Sequence, residues 1–114
     1  MTDCLFCKMA SGAIPVKKVY EDDLIFAIED INPVAPLHML IIPKKHLANA
    51  LVLAPEDDLL IGSVHRVAAD LARERGVAEE GFRLVNNNNA GAGQSVFHIH
   101  FHLLGGRKMG WPPG

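Results

Sequence analysis

Residues His98-Ile99-His100-Phe101-His102-Leu103-Leu104 alternate histidine with apolar side chains at a strict period of two. In an extended strand successive side chains leave opposite faces. The three imidazoles therefore share one face, while Ile99, Phe101 and Leu103 bury on the other. This commits the chain to a sheet with one apolar face and a row of imidazoles on its other side. Imidazole changes charge near physiological pH and can act as nucleophile, base or metal ligand. Three imidazoles are not buried cheaply without partners.

The rest of the chain supplies the other layers of such a sheet. Val16 to Tyr20 and Leu24 to Glu29 read as strands joined through Glu21-Asp22-Asp23. His38 to Ile42 is a third strand, ended by Pro43, and Phe82 to Asn86 is a fourth. Val96 to Leu104, carrying the histidine row, is the fifth. Glu56 to Arg75 is the one long helix. Pro55 suits its first turn, Glu56, Asp57 and Asp58 match the positive end of the helix dipole, and Gly76 stops it. Leu60, Val64, Val67, Ala68 and Leu71 fall on one stripe, whereas His65 points to solvent. Strands joined mostly without helices predict an antiparallel α+β fold of about five strands.

Length and charge narrow the function classes. A chain of 114 residues suits one domain over 1–114. A net charge of −2 argues against nucleic acid as a partner. Neither a secretion signal nor an apolar span long enough for a bilayer is evident, so a cytoplasmic protein without a membrane partner is expected. Cys4 and Cys7 form a Cys-x-x-Cys pair, read in that setting as a metal site or a redox pair; it supplies two of the four ligands a structural zinc needs.

The row itself admits two functional readings. Neighbouring imidazoles are roughly 7 Å apart along a strand, close enough for two to bridge one ion, but the outer pair is about 13 Å apart. One metal therefore cannot comfortably hold all three, and divided labour is the other reading. Upstream, Ala90-Gly91-Ala92-Gly93-Gln94-Ser95 offers small residues whose backbone N–H groups can approach an anion, with side-chain donors from Gln94 and Ser95. It lacks the Gly-Lys-Ser/Thr ending of a P-loop.

These residues resemble the histidine triad (HIT) superfamily of nucleotide hydrolases and transferases. The resemblance rests on the row and on Cys4-Leu5-Phe6-Cys7-Lys8, Ile14-Pro15, Asp30-Ile31, His38, Ile42-Pro43-Lys44-Lys45-His46, Gly93-Gln94-Ser95-Val96 and Leu104-Gly105-Gly106-Arg107. The ending Gly110-Trp111-Pro112-Pro113-Gly114 is similar to the Hint branch of adenosine phosphoramidases. Asn88, Asn89 and Gly91-Ala92 depart from the Hint pattern near the phosphate loop.

The resemblance implies a short N-terminal helix and two protomers joining their sheets in a homodimer. It implies hydrolysis of the P–N bond in nucleoside 5′-monophosphoramidates, AMP or GMP conjugates of the adenylyl-amine or adenylyl-lysine type. His100 is then the nucleophile, held by the backbone carbonyl of His98. His102 stabilises phosphoryl charge, Ser95 lies near the leaving amine, and His38 is a fourth histidine close by. Asp30 takes the ribose hydroxyls with Ile31 beside the base, and Asn87, Gly93 and Gln94 contact phosphate or ribose. Leu5, Phe6, Met9 and Ile28 wall the purine pocket, each being equally explicable as ordinary core. Cys4, Cys7, His46 and His98 hold a structural zinc that takes no part in the chemistry, and no organic cofactor is implied. Lys44 and Lys45 are candidates for attracting an anionic substrate. A related hydrolase of dinucleoside polyphosphates, a mainly nucleotide-binding regulatory protein and a metalloenzyme built on the row are the alternatives.

Overall fold

The computed structural model describes residues 3–114. Its centre is a five-stranded sheet in which every neighbouring pair is antiparallel. The strands are β1 (Tyr20–Glu21), β2 (Ile25–Glu29), β3 (Leu37–Pro43), β4 (Phe82–Val85) and β5 (Phe101–Gly105), in spatial order β1-β2-β3-β5-β4. Two helices, α1 (Leu5–Ser11) and α2 (Asp58–Glu74), complete the fold.

Period-two alternation sorts the strands between two apolar layers. Ile25, Ala27, Met39, Ile41, Ile99, Phe101 and Leu103 pack with Leu60, Val64, Val67, Ala68 and Leu71 of α2. Phe26, Ile28, Leu40 and Ile42 face the other way and pack under Phe6 of α1. Strand β3 is buried along its whole length because both layers cover it. The expected stripe on α2 is thus the main core, and His65 is exposed as its off-stripe position requires.

Three boundaries differ from the sequence reading by more than one residue. A 3-10 turn at Pro55–Asp57 precedes α2, where Asp57 turns back to accept from the Ala54 N–H at 2.9 Å. The first strand is only Tyr20–Glu21; Val16 instead joins the apolar layer around Phe6. At the turn, Asp22 Oδ1 accepts from the N–H groups of Leu24 and Ile25 at 2.8 and 2.9 Å, which fixes where β2 begins.

The third difference bears on the histidine row. Backbone pairing of β5 begins at Phe101, opposite Ile41, and not at Val96. Pro43 has no N–H to continue the ladder. Its carbonyl accepts from the His98 ring at 2.7 Å, and the His98 carbonyl accepts from the His100 ring at 2.8 Å. Imidazoles have taken over backbone hydrogen-bonding sites there. The alternation of faces nevertheless holds, since Ile99, Phe101 and Leu103 all lie in the α2 layer.

Candidate functional site

Hydrogen-bond geometry assigns each ring of the row a proton position. A carbonyl can only accept, so His100 donates through Nδ1 to His98 and its Nε2 lone pair is free. Asn86 Nδ2 donates to the His100 carbonyl at 3.0 Å and fixes the backbone on the other side. The edge of Phe6 packs against both His98 and His100, with ring centroids 5.7 and 5.1 Å away.

His38 faces His102 because Leu40 is paired with His102, and His38 with Leu104, on one sheet face. The Val34 N–H donates to His38 Nδ1 at 3.1 Å, so the proton of that ring sits on Nε2. This Nε2–H lies 2.9 Å from His102 Nδ1 and 3.3 Å from Asp30 Oδ2. His102 therefore accepts at Nδ1 and presents its own N–H at Nε2. Burial pushes the His102 pKa down, helped by His100 and His38 and opposed by Asp30, so the neutral ring is favoured. The result is a free lone pair on His100 beside a ring N–H on His102, with the two ring centroids 5.3 Å apart.

At the other end of the row, His98 is fully buried. Its Nε2–H donates to Pro43, which leaves Nδ1 as an acceptor 3.3 Å from Cys4 Sγ, 3.6 Å from Cys7 Sγ and 3.1 Å from His46 Nδ1. The ligand atoms of Cys4, Cys7, His46 and His98 all lie within 4.8 Å of one another. Zinc bonds of about 2.3 Å to sulfur and about 2.0 Å to nitrogen place tetrahedral donors roughly 3.3–3.8 Å apart, so this set fits the ion. The Pro43 carbonyl orients the His98 ring as outer-shell partners of zinc ligands do. Burial, then the neighbouring Cys4, pushes the Cys7 thiol up. A cation is what would make the thiolate favourable there.

These clusters weigh against a metal centre built from the row alone. Among the described residues, each set able to converge on an ion recruits other elements: Cys4, Cys7 and His46 around His98, and Asp30 with His38 around His102.

Comparison with known proteins agrees with this geometry. The HIT domain family model matches residues 11–109. The chain belongs to the HIT domain family. An uncharacterized HIT-like protein of Synechocystis sp. is 48% identical over 112 residues, covering 98% of this chain and 97% of the relative. The purine nucleoside phosphoramidase of Escherichia coli K12 is 44% identical over 108 residues, covering 95% of this chain and 91% of the relative. A crystal structure of a HIT family hydrolase from Legionella pneumophila superposes with a TM-score of 0.95 at 53% identity, covering 98% of this chain and all of that one.

The remaining residues expected from the HIT resemblance fall into separate groups. Asp30 follows the end of β2 beside His38, and its Oδ1 accepts from the Asn32 N–H at 2.8 Å. Ile31 is 91% exposed and Leu5 is also exposed, whereas Phe6 and Met9 of α1 pack with Ile28 of β2. The expected apolar wall is thus part core and part open surface. Asn87 lies beside Gly93, where a Cβ would come to 4.0 Å from Asn87 Nδ2, and Gly93 itself holds the left-handed backbone at φ 94°.

Gln94, expected to contact phosphate or ribose, is bonded within the protein. Its side chain is buried and its amide donates to the carbonyls of Ala48 and Val96, at 2.7 and 3.1 Å. Its Oε1 accepts from the Asn89 N–H at 2.7 Å, and its backbone N–H is bonded to the Asn89 carbonyl. Gln94 therefore braces the loop and has no donor left for an anion. Buried Asn49, which sequence reasoning missed, completes the brace by donating to Asn89 Oδ1 at 2.8 Å. Ser95, the next residue, is exposed and its hydroxyl forms no hydrogen bond among the described residues.

Lys44 and Lys45 are committed elsewhere. Lys44 pairs with Glu21 at 2.8 Å, and Lys45 with Glu56 and Asp57 at 3.1 and 2.6 Å. They tie β3 to the first hairpin and to the start of α2. Among the described residues no helix is long and apolar enough to cross a membrane.

Proposed function

We propose that this HIT family protein is a purine nucleoside phosphoramidase, a hydrolase of the P–N bond in nucleoside 5′-monophosphoramidates. The observation that carries the reading is the Nδ1–H of His100 held on the His98 carbonyl at 2.8 Å, which leaves Nε2 as the lone-pair nitrogen of the neutral ring. The Escherichia coli relative supports the substrate class.

In this reading His100 Nε2 attacks the α-phosphorus. The P–N bond breaks, its electron pair leaves on the amine, and the amine takes up a proton with Ser95 nearby. The nucleotidyl-His100 formed is then attacked by water, which releases the nucleoside monophosphate and restores the ring. Splitting one displacement into two lowers each barrier. His102 donates from Nε2 to the phosphoryl oxygens as their charge grows. His38 is a positioning residue: by donating to His102 Nδ1 it keeps the His102 proton on the side of the substrate. Asp30 accepts from the ribose hydroxyls, with Ile31, Leu5 and Met9 around the base. Asn87, Gly93 and the Ser95 backbone receive the phosphate.

Cys4, Cys7, His46 and His98 would hold a structural zinc, which when bound supplies cross-linking of α1 to the chain on either side of the row. We further read residues 1–114 as one HIT unit that forms a homodimer. The outer edge of β4 is unpaired among the described residues, and edge strands invite pairing.

The test is a panel of nucleotidyl amines and diadenosine polyphosphates assayed on a sample whose metal content and molar mass are measured together. The reading expects turnover of adenosine and guanosine phosphoramidates well above that of the polyphosphates. Faster polyphosphate cleavage would overturn it.

A further inference from the structure

The two sulfurs of the candidate metal set also form a pair of their own. Cys4 is the N-cap of α1, and the Cys7 N–H donates to its Sγ at 3.4 Å. The two Sγ atoms lie within 4.8 Å of each other, and both cysteines are free. Neither is fully buried, and His46, 3.3 Å from Cys7 Sγ through its Nδ1, is exposed, so a small solute can reach the sulfurs. Cys-x-x-Cys is the spacing of dithiols that cycle between reduced and oxidised forms.

What lies between the sulfurs connects them to the row. Leu5 and Phe6 are the two residues the pair encloses. Phe6 is buried, and its edge packs on both His98 and His100. The sulfurs themselves sit 3.3 and 3.6 Å from His98 Nδ1, and the carbonyl of that residue holds the His100 ring. A disulfide brings the sulfurs to about 2.05 Å of each other. Closing it draws them off His98 and tightens the short loop that carries Phe6. The pair lies in the layer over β2 and β3, away from the β4 edge read as the meeting point of two protomers.

We propose that Cys4 and Cys7 are a reversible oxidation site for a peroxide, and that closing it slows the reaction at His100. The second half of this rests on the phosphoramidase reading. One thiol attacks a peroxide oxygen; the O–O bond breaks, a sulfenic acid forms and water leaves. The other thiol displaces the hydroxyl from that sulfur, which makes the S–S bond and a second water. The pair gives up two electrons, hydrogen peroxide takes them, and both thiol protons end in water. A dithiol reductant reverses the step by exchange. Disulfide sulfurs are no longer thiolate ligands, so oxidation also releases a metal held there. The bond acts through Phe6 and His98, so reduced protein stripped of metal stays active.

The experiment treats the full-length protein, as purified, with hydrogen peroxide. It follows peptide mass, zinc release to a chromogenic chelator, hydrolysis of adenosine 5′-phosphoramidate and the proton resonance of His100 Nδ1–H. Two hydrogens should be lost from the peptide that holds Cys4 and Cys7. The kcat/KM should fall roughly ten- to hundredfold, the scale of a small misplacement near a reacting group. The His100 resonance should shift, and dithiothreitol should restore both it and the rate. Methionine sulfoxide requires its own reductases, so recovery with the thiol assigns the effect to the sulfurs. In Cys7→Ser, and separately in Cys4→Ser, the ratio of treated to untreated rate should stay near one; should either variant fail to fold, reversal in the wild type carries the test. Peroxide that forms no Cys4–Cys7 bond, or a mapped bond that leaves the rate and the His100 resonance unchanged, overturns the proposal. So does an equal loss of rate in reduced, metal-stripped protein, which would assign the effect to the metal. If the reduced protein does not hydrolyse the phosphoramidate, the phosphoramidase reading falls, and the mapped bond with the His100 resonance still decides whether the sulfurs act on the row.

Discussion

His98 and His102 stand at opposite ends of one row, on one face of one sheet, and meet different surroundings. Both ring nitrogens of His98 are engaged, one with the Pro43 carbonyl and the other amid Cys4, Cys7 and His46. His102 is engaged only at Nδ1, through His38, and its other side faces an open cleft. His100 lies between, oriented by the backbone of the first and close to the ring of the second. Identical side chains at regular spacing acquire different chemistry because different elements come up against them. Helix α1 and the end of β3 meet His98, whereas the interior of β3 meets His102.

The comparison breaks most severely at the centre of the row. His100→Ala should lower turnover by on the order of 10⁴-fold or more while nucleotide affinity stays near wild type, as measured by steady-state kinetics and calorimetry. Retained turnover would return the row to equivalent members. Next comes the closed end. His46→Ala should lose bound zinc by elemental analysis and, at free zinc a hundredfold above the wild-type dissociation constant, forfeit about 3 kcal/mol of stability. Its remaining folded fraction should still hydrolyse phosphoramidates, since that end does not touch the substrate.

The open end yields smaller effects. His38→Ala frees the His102 proton to sit on either nitrogen and should lower kcat about tenfold, the worth of one hydrogen bond, with KM little changed. The last effect concerns pH. Burial and neighbouring imidazoles place the His102 pKa below the ordinary 6.5, so between those two values the unfolded chain binds a proton that the folded chain does not. Stability then rises with pH in that window and falls on acidification through it. Denaturant midpoints followed downward from pH 6.5 should decline, and His102→Asn should decline less steeply over the same range.

Local pattern carried much of this architecture. The alternation around His100 announced a strand with two unlike faces, and the stripe from Leu60 to Leu71 announced the helix that covers one of them. Boundaries were less legible where side chains replace backbone partners, as at Pro43 and His98 or at Asp22. The bracing by Gln94 was illegible because its partners at Ala48 and Asn49 are some 45 residues away, and no local rule foretells that an exposed residue type will be buried there. The partners of Lys44 and Lys45 were illegible for the same reason, their carboxylates belonging to the first hairpin and the start of α2. The convergence of Cys4 and Cys7 with His98 followed from the family resemblance and not from spacing.

In the proposed mechanism the division of labour rests on His100 as the nucleophile toward phosphorus. Rapid acid quench of the wild type with adenosine 5′-phosphoramidate, followed by peptide mapping by mass spectrometry, tests this most directly. The account predicts an adenylyl adduct on His100 that forms and decays at rates compatible with turnover. An adduct on His98 or His102, or full turnover with no adduct at any time point and an active His100→Ala variant, would contradict it.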